Sequence, residues 1–276
     1  MKYALFTGAT GGLGAQCVEA LSQTGRWTIF ASGTNEAALE RLGGLAHVIP
    51  LRMNVTDEAS IETAHQMVAE HTGALDAVAN FAGISYMTSL VEEGGPQAME
   101  RLFAVNVLGM ARVNRTFLSM LDNGRGRILN CSSEVGWMTP APFAGPYAVS
   151  KYAVEAYSDS LRRELLYLEI PVVKIQPGSY ETPMLRQIDT DFDRLVGDTR
   201  YYKELLVKMR PMMTSLGMSQ KNDPNRLARI VLRAMEAKRP KRAYRVGTDR
   251  LLALMELLPE WGVDAMYRAF FGKRQQ

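Results

Sequence analysis

Short strand-like runs alternate with longer helical runs along this chain, and this alternation restricts the fold more than any other feature of the sequence. The apolar runs Ala77–Ala79 and Val172–Ile175 are almost unbroken, as strands buried on both faces of a sheet require. Strands separated by helices form βαβ units, in which the strands are parallel. The sequence therefore predicts an α/β fold with a doubly wound parallel sheet covered by helices on both faces.

The predicted elements extend over the whole chain without a linker or a repeat, which predicts a single domain over residues 1–276. The predicted strands are Tyr3–Thr7, Thr28–Ser32, Val48–Met53, Ala77–Asn80, Arg127–Cys131, Val172–Gln176 and Ala243–Val246. The predicted helices span about residues 13–24, 35–42, 57–72, 96–121, 147–168 and 224–238. Two segments do not fit the alternation: the methionine-rich residues 182–222, and the apolar residues 248–272, which we expect to form a helical extension.

Composition excludes several classes of protein. With 47% hydrophobic and 22% charged residues, the chain is expected to fold as an ordinary soluble globule. A net charge of +3 is too small to predict a nucleic-acid partner. No apolar run reaches the roughly 18 residues of a membrane-spanning helix. Cys17 and Cys131 are isolated, which favours buried reduced thiols over a disulfide or a metal site. Because we also expect no secretion signal at the start, a cytoplasmic protein is predicted.

A glycine-rich loop, TGATGGLG at residues 7–14, follows the first predicted strand and leads into a helix. Such a loop exposes backbone N–H groups and the positive end of the helix dipole, and its missing side chains let phosphates approach closely. Glycine loops also occur in structural turns, but this position between strand and helix is typical of dinucleotide binding in a Rossmann-type fold. The residues predicted to contact the cofactor here are Gly8, Thr10, Gly11, Gly12, Leu13 and Gly14.

The end of the second predicted strand bears on the choice between NAD(H) and NADP(H). An acidic residue commonly binds the ribose 2′-hydroxyl there and repels a 2′-phosphate. This chain has Gly33, Thr34 and Asn35 at that place, with neither an acid at the strand end nor an arginine after it. Together with Ser32, these polar residues could hydrogen-bond a phosphate, or they could simply form a turn. The sequence favours NADP(H) over NAD(H), with Gly33, Thr34 and Asn35 as contacts.

Tyr147 and Lys151 lie four residues apart in the predicted helix 147–168, so both side chains can point from one face. A tyrosine phenol is a poor proton donor or base near neutrality. An ammonium group about 5 Å away stabilises a phenolate by about 3 kcal/mol at an effective dielectric constant of about 20. The pair therefore predicts a tyrosine suited to acid–base catalysis. For an isolated pair with this spacing, an exposed polar helix face is the commoner explanation.

Two further polar residues favour the catalytic interpretation. Ser133 follows the predicted strand Arg127–Cys131 at the carboxyl edge of the sheet, where ligands bind in open α/β folds. Its hydroxyl could donate to a substrate oxygen. Asn106 lies in an apolar part of a predicted helix, and a buried amide there needs hydrogen-bond partners. Holding a water beside Lys151 would be one such use.

The chain resembles the short-chain dehydrogenase/reductase family in motifs that occur in the family's order over nearly the whole length. The motifs are TGATGGLG (7–14), NFAG (80–83), Asn106, SS (132–133), YAVSK (147–151) and PGSYETP (177–183). The resemblance implies a proton relay from Tyr147, with Ser133 polarising the carbonyl or hydroxyl group. It implies further that Lys151 holds the nicotinamide ribose and Asn106 the relay water. The additional cofactor contacts that it implies are Asn54, Val55, Asn80, Ala82, Gly83, Tyr147, Lys151, Pro177, Gly178 and Thr182.

The chain departs from the family pattern in three places. Phe81 stands where the family often has a second asparagine, and Asn54 stands where the family commonly has an acid. The spacing from Ser133 to Tyr147 is one residue longer than is common. We assign the catalytic serine to Ser133 because Ser132 is expected to face the other way on an extended strand. A register shifted by one residue is the alternative.

Residues 182–222 are predicted to form a lid over the nicotinamide, and their methionines suit an apolar ligand of irregular shape. Any one of these Met and Leu residues is more often part of a core, but as a set they predict a bulky lipophilic alcohol or ketone rather than a sugar. Residues 147–165 and the C-terminal part resemble the steroid- and retinol-type subgroup, which implies a hydroxysteroid-like or retinoid-like substrate. The predicted substrate pocket consists of Met87, Glu134, Met138, Phe143, Met184 and Leu185.

The stretch 226–250 contains nine lysines and arginines and two acids, and an apolar tail follows it. One interpretation is loose attachment to an anionic membrane surface. The interpretation we favour is a solvated basic helix, with the tail packed over the pocket or against another subunit. The family resemblance implies a homodimer or a homotetramer.

Two other functions compete with a lipophilic alcohol dehydrogenase. A 3-oxoacyl-thioester reductase is less favoured because of the long lid and tail. A protein of another class, a catalytically silent dinucleotide sensor, would be expected to lose Tyr147 or Lys151, and both are present. Sugar-nucleotide epimerases are a weaker alternative, since their glycine spacing differs.

Overall fold

The computed structural model describes residues 1–92, 94–218, 222–248 and 250–272, and they contain a seven-stranded sheet in which every pairing is parallel. The strands are β1 (Lys2–Thr7), β2 (Trp27–Gly33), β3 (Val48–Arg52), β4 (Ala77–Asn80), β5 (Ile128–Cys131), β6 (Val172–Pro177) and β7 (Ala243–Val246). Their order across the sheet is β3-β2-β1-β4-β5-β6-β7. This doubly wound sheet confirms the predicted fold class.

Helices cover both faces of the sheet. Those of the first half are α1 (Gly12–Ser22), α2 (Glu36–Gly43), α3 (Glu58–His71), α4 (Gly95–Leu102), α5 (Met110–Thr116) and α6 (Leu118–Leu121). Those of the second half are α7 (Gly145–Glu164), α8 (Pro183–Asp198), α9 (Lys203–Met218), α10 (Pro224–Glu236), α11 (Arg250–Met255) and α12 (Glu260–Phe271). A π-helical segment spans Phe103–Gly109, and short 3₁₀ turns span Glu134–Gly136 and Leu165–Leu168.

Two apolar cores hold the helices to the sheet. On one face, Val18 of α1 and Val231 of α10 pack against Phe6 of β1. On the other face, Ile61 of α3 packs with strand residues such as Leu51. Both cores are fully or almost fully buried, which leaves the carboxyl edge of the sheet and the loops above it as the place for polar chemistry.

The predicted helix 96–121 is interrupted, which is the main difference between the predicted and observed elements. The π-helical segment Phe103–Gly109 separates α4 from α5 and contains Asn106. Gly109 permits close packing here, since a Cβ on it would lie 2.7 Å from Val55 Cγ2. π-Helical turns insert an extra residue and are frequent at functional sites.

The predicted lid consists of two helices, α8 and α9, and residues 219–221 lie outside the described part of the chain. Among the described side chains of the lid, Phe192 and Leu195 from α8 and Leu206 and Met209 from α9 form a small core together with Met87 and Phe143. Much of the apolar character that predicted a substrate pocket is therefore used to hold the two lid helices together.

The segment after β7 forms α11 and α12, and Phe271 of α12 packs against the small core of the lid. The basic residues 238–242 precede β7 at the amino edge of the sheet, whereas α11 and α12 follow it at the carboxyl edge. The basic residues 238–242 and the apolar tail thus lie at opposite ends of β7. Within the described ranges, no helix has the length and apolar character needed to cross a membrane.

Candidate active site

A cavity of about 590 Å³ opens at the carboxyl edge of the sheet, where β1, β4, β5 and β6 end. This is the edge at which open α/β sheets bind ligands. Its walls come from the glycine loop, the ends of these strands, the start of α7 and the start of α8. The predicted cofactor residues that line it are Gly8, Thr10, Gly11, Gly12, Leu13, Gly33, Thr34, Asn54, Val55, Ala82, Gly83, Tyr147, Lys151, Pro177, Gly178 and Thr182.

The glycine loop forms a cradle that side chains would fill. A Cβ on Gly8 would lie 2.5 Å from the backbone nitrogen of Ala82, and Gly8 has a φ of +65°. A Cβ on Gly14 would lie 2.3 Å from the carbonyl oxygen of Gly8, so the start of α1 packs directly on the loop. Gly14 itself does not line the cavity.

The first turn of α1 is free to bind an anion. Its N-cap residue, Gly11, provides no side-chain cap, and the turn contains no acidic residue. The first N–H groups of the helix and the positive end of its dipole therefore lie at the cavity with no acidic side chain in the turn itself. Together with the glycine cradle, this arrangement fits the diphosphate of a dinucleotide.

The three polar residues near the end of β2 that could contact a phosphate, Ser32, Thr34 and Asn35, lie in different environments in the structure. Thr34 lines the cavity. Ser32 is fully buried and donates to the carbonyl of Phe6 at 3.0 Å. Asn35 lies off the cavity wall, and its side-chain oxygen accepts from the Ala38 N–H at 3.0 Å, which caps α2. Of the three, the Thr34 hydroxyl is the one placed at the cavity.

Asn80, predicted to contact the cofactor, instead lies in a buried polar network away from the cavity wall. Its amide donates to Asn114 at 2.8 Å and to Asn130 at 3.0 Å. Asn130 donates to Ser158 of α7 at 3.0 Å. The network ties β4, α5, β5 and α7 together beneath the site, so Asn80 is placed to support the cavity floor.

Tyr147 and Lys151 stand together on the cavity wall, on the first two turns of α7. Lys151 is 5% exposed, and its Nζ donates to the carbonyl of Cys131 at 3.0 Å. The same Nζ lies 5.7 Å from the centre of the Tyr147 ring. A buried lysine side chain is thus held beside a phenol at the end of β5.

Both candidate serines line the cavity. The Ser133 Oγ accepts from the Val135 N–H at 3.4 Å at the start of the 3₁₀ turn. The Ser132 hydroxyl is buried, with no hydrogen-bond partner in the part of the chain that the structure describes. It lies under the turn, 2.7 Å from where a Cβ on Gly136 would be. Ser133, with its weak contact, is the more available donor.

Asn106 is buried and does not line the cavity. Its amide nitrogen donates to the carbonyl of Ile84 and to the hydroxyl of Ser150, both at 3.0 Å, and its oxygen accepts from the Ile84 N–H at 2.9 Å. Both amide hydrogens are therefore engaged. The side chain clamps the loop after β4 to α7 and so positions the helix that carries Tyr147.

Ion pairs fix the next turns of α7 to β6. The Nζ of Lys174 lies 2.9 Å from Glu155 and 3.0 Å from Asp159, and Gln176 donates to Glu155 at 2.8 Å. Burial lowers the pKa of Lys174, but hydrogen bonds and charge from the two carboxylates outweigh it, so the pKa is raised. These contacts hold α7 on the strand behind it.

The predicted substrate pocket is only partly brought together. Met87, Glu134 and Met184 line the cavity. Met138 and Phe143 are buried away from its wall, and Phe143 packs in the small core of the lid. The side chain of Leu185 falls outside the described residues. Ser132, the alternative serine, also lines the cavity, and the wall residues that sequence reasoning did not assign to cofactor or substrate are Met53, Phe81, Ile84, Ser85, Tyr86, Val105, Cys131, Val135, Ala144, Ser179, Tyr180 and Ile188.

Tyr180 is notable among these additional residues because it places a buried phenol on the cavity wall. It is 4% exposed, and its hydroxyl has no hydrogen-bond partner within the described ranges. Burial raises its pKa to about 12. Its position in the motif 177–183, between the predicted contacts Gly178 and Thr182, was the signal that could have indicated it.

Hydrogen bonds to Glu92 hold the turn between the two lid helices, α8 and α9. Its carboxylate accepts from Thr199 Oγ1 at 2.8 Å and from the N–H groups of Arg200 and Tyr201 at 2.8 and 3.0 Å. Desolvation raises its pKa, but these hydrogen bonds outweigh that effect and lower it. The stabilisation is therefore present above the ordinary carboxylate pKa of 4.5 and is lost as the pH falls through the lower value of the folded protein.

Replacing Glu92 with glutamine is expected to loosen this turn, because a neutral amide is a weaker acceptor for three donors. At neutral pH, the amides of Arg200 and Tyr201 should exchange hydrogen about tenfold faster in Glu92→Gln. Glu100→Gln on neighbouring α4 is the matched control and should leave both rates unchanged. Equal exchange rates in Glu92→Gln and the parent protein would contradict this role for the carboxylate.

Comparisons with known proteins agree with this architecture. The family model described as short chain dehydrogenase matches residues 2–193. Retinol dehydrogenase 16 of Mus musculus is 31% identical over 283 residues, covering 96% of this chain and 87% of that protein. The 17-beta-hydroxysteroid dehydrogenase type 6 of Rattus norvegicus is 34% identical over 202 residues, covering 72% and 62%. A short chain dehydrogenase/reductase from Burkholderia phymatum, solved in complex with NAD, has a TM-score of 0.76 at 22% identity, covering 100% and 98%.

The chain therefore belongs to the short-chain dehydrogenase family of oxidoreductases. Within that family, it belongs to the subgroup of the retinol and hydroxysteroid dehydrogenases. The predicted family and the predicted class of enzyme are both confirmed.

Proposed function

We propose that the protein interconverts a bulky lipophilic alcohol, secondary or primary, and the corresponding carbonyl compound with NAD(P)(H), preferring NADP(H). The observation that carries this proposal is the pairing of Tyr147 with the buried ammonium group of Lys151 on the wall of a cavity that also contains the glycine cradle. An acid–base group and a dinucleotide cradle sharing one cavity are the parts that an alcohol oxidoreductase needs.

The cofactor would be held by residues from both halves of the cavity. The glycine loop and the start of α1 would bind its diphosphate, and Lys151 would hold the nicotinamide ribose. Gly178 and Thr182 would border the nicotinamide. Bound there, NAD(P) supplies the acceptor for a hydride from the substrate carbon. The preference for NADP(H) rests on the lack of an acid at the end of β2 and on the Thr34 hydroxyl.

The protein's own residues would move the proton. In alcohol oxidation, Ser133 would hydrogen-bond the substrate oxygen, and Tyr147 as phenolate would take the hydroxyl proton. The Lys151 ammonium, buried and close to the ring, would stabilise the negative charge on the tyrosine oxygen. In carbonyl reduction, Tyr147 would return the proton. Asn106 would keep α7 and the loop after β4 in register, and a relay water would pass the proton on to solvent.

A lipophilic substrate is supported by the cavity wall on the lid side. Met87, Val105, Met184 and Ile188 contribute apolar surface there. Flexible methionines accommodate ligands of irregular shape. Relatives in the subgroup are named as retinol and 17-beta-hydroxysteroid dehydrogenases. We infer a hydroxysteroid-like or retinoid-like substrate for this chain.

A panel of hydroxysteroids, retinol and small polar alcohols, each with NADP⁺ and NAD⁺, tests the proposal. We expect kcat/KM for at least one lipophilic alcohol to exceed that for the small polar compounds about 100-fold, because burying several apolar groups stabilises the transition state. Activity restricted to small polar ketones would rule out the substrate class. Turnover of 3-oxoacyl thioesters instead would favour the thioester reductase.

Three further assignments belong to this proposal. A single domain over residues 1–276 fits the one sheet that the elements share. A homodimer or homotetramer would cover apolar side chains that are exposed beside and on α7, among them Leu108, Val149 and Tyr152. A reducing, cytoplasmic location fits the two free buried thiols of Cys17 and Cys131.

A further inference from the structure

We propose that Arg52, at the end of β3, supplies the cation for the 2′-phosphate of NADP(H), and that its ion pair with Glu36 sets the balance between the two cofactors. The inference rests on the proposed function, since it concerns the cofactor of the same site. It assigns a specificity-determining role to two residues that neither the motifs nor the strand end at β2 indicate.

Strand pairing places Arg52 directly beside the cofactor end of β2. Gly33, the last residue of β2, is paired with Arg52, the last residue of β3. The Met53 N–H donates to the carbonyl of Gly33 at 3.0 Å and extends this pairing past the strand end. Neighbouring strands lie about 4.8 Å apart. Arg52 is therefore one strand away from the position at which an acidic residue commonly binds the ribose 2′-hydroxyl.

The Arg52 side chain points toward the loop that would meet the ribose. Leu51 packs in the core with α3, and alternation along the strand turns Arg52 to the opposite face, where α2 lies. There its guanidinium lies 3.5 Å from Glu36 in the first turn of α2. Gly33 and Thr34, which precede Glu36 by three and two residues, line the cavity.

The ion pair is suited to exchange its partner. The side chains of Arg52 and Glu36 are 77% and 74% exposed, so the pair contributes little to stability. A phosphate dianion accepts two parallel hydrogen bonds from a guanidinium and is a stronger partner than an exposed carboxylate. Arg52 can therefore turn from Glu36 to a 2′-phosphate. Without Arg52, the Glu36 carboxylate would repel that phosphate.

An arginine of α2, the helix that carries Glu36, provides a matched control. Arg41, in the last turn of α2, is ion-paired with Glu19 of α1. Its side chain is also exposed, 57% against 77% for Arg52, but it lies at the end of α2 away from the loop. Arg41→Gln changes the net charge by the same amount as Arg52→Gln without altering the proposed phosphate site.

Equilibrium binding of NADP⁺ and NAD⁺ without substrate, measured by calorimetry, tests the proposal. Arg52→Gln should weaken NADP⁺ binding about tenfold and change NAD⁺ binding less than about twofold, because one charge-assisted contact is lost. Glu36→Gln should strengthen NADP⁺ binding a few-fold, because a repelling charge is removed. Arg41→Gln should change neither. The Arg52 effect should shrink at high salt, since both partners are exposed.

Distinct outcomes would overturn the assignment. Equal losses for both cofactors in Arg52→Gln, or no loss for either, would refute a 2′-phosphate contact while leaving the proposed function intact. Weaker NAD⁺ binding in Glu36→Gln would instead make Glu36 a ribose ligand. If the parent protein bound neither dinucleotide, the proposed function would fall and this assignment with it. Binding with the expected pattern but no turnover would support Arg52 and refute only the catalytic proposal.

Discussion

Replacing Tyr147 with phenylalanine should lower kcat about 10³-fold while leaving the fold and cofactor binding unchanged. The substitution removes the hydroxyl that would exchange the proton, and positioned acid–base groups contribute typically 10²- to 10⁴-fold. The ring that lies beside Lys151 is retained, so the wall of the cavity keeps its shape. The measurement is steady-state turnover of the best lipophilic alcohol, together with calorimetric binding of the cofactor.

Tyr152 offers a control for this prediction on the same helix. It is 41% exposed, and its hydroxyl donates to the carbonyl of Met138 at 2.8 Å. Tyr152→Phe removes an equivalent hydroxyl away from the cavity wall and should reduce kcat less than about twofold. Undiminished turnover in folded, cofactor-loaded Tyr147→Phe would exclude the proposed proton transfer.

Replacing Gly14 with alanine should destabilise the protein by about 2 kcal/mol or more and weaken dinucleotide binding, because overpacking against a rigid neighbour forces the backbone to shift. The new Cβ would lie 2.3 Å from the carbonyl oxygen of Gly8, inside the glycine loop. In a helix without this contact, the same substitution stabilises by about 1 kcal/mol. The sign of the change therefore distinguishes close packing from ordinary helix propensity. Chemical denaturation gives the free energy of unfolding.

Gly197, near the end of α8, is the comparison for this prediction. A Cβ there would meet nothing within 4 Å. Gly197→Ala should leave the free energy of unfolding unchanged or raise it by up to about 1 kcal/mol. If Gly14→Ala also proved neutral, the start of α1 would not rest on the glycine loop in the way the structure shows.

The sheet could be predicted from the sequence because each buried parallel strand is a local apolar run. β4 and β7 have the bounds expected, and the other strands differ by one residue at one or both ends. The break in the predicted helix 96–121 could not be predicted, since a π-helical insertion keeps an apolar pattern that a continuous helix would also show. The contacts of Asn106 in this segment, with Ile84 and Ser150, also join residues far apart in the sequence, so no local pattern indicates them.

The candidate site was predictable where a motif is short and contiguous, as in the glycine loop and the pair Tyr147–Lys151. Residues that other strands or helices bring to the site could not be predicted in this way. Arg52 comes to the end of β2 through the pairing of two strands. Phe143 was predicted to meet the substrate, but it fills the small core of the lid. An apolar side chain has the same sequence signature in both places, so only the packing distinguishes them.

The anchoring of α7 to β6 by Lys174, Glu155 and Asp159 has a consequence for how ligands come and go. With α7, which carries Tyr147 and Lys151, held on the strand behind it, we expect that side of the cavity to act as a stationary wall. We expect that a lipophilic substrate can enter or leave the cavity only when α8 and α9 move. Substitutions there could then alter residence times and ligand choice while the chemistry itself stays intact.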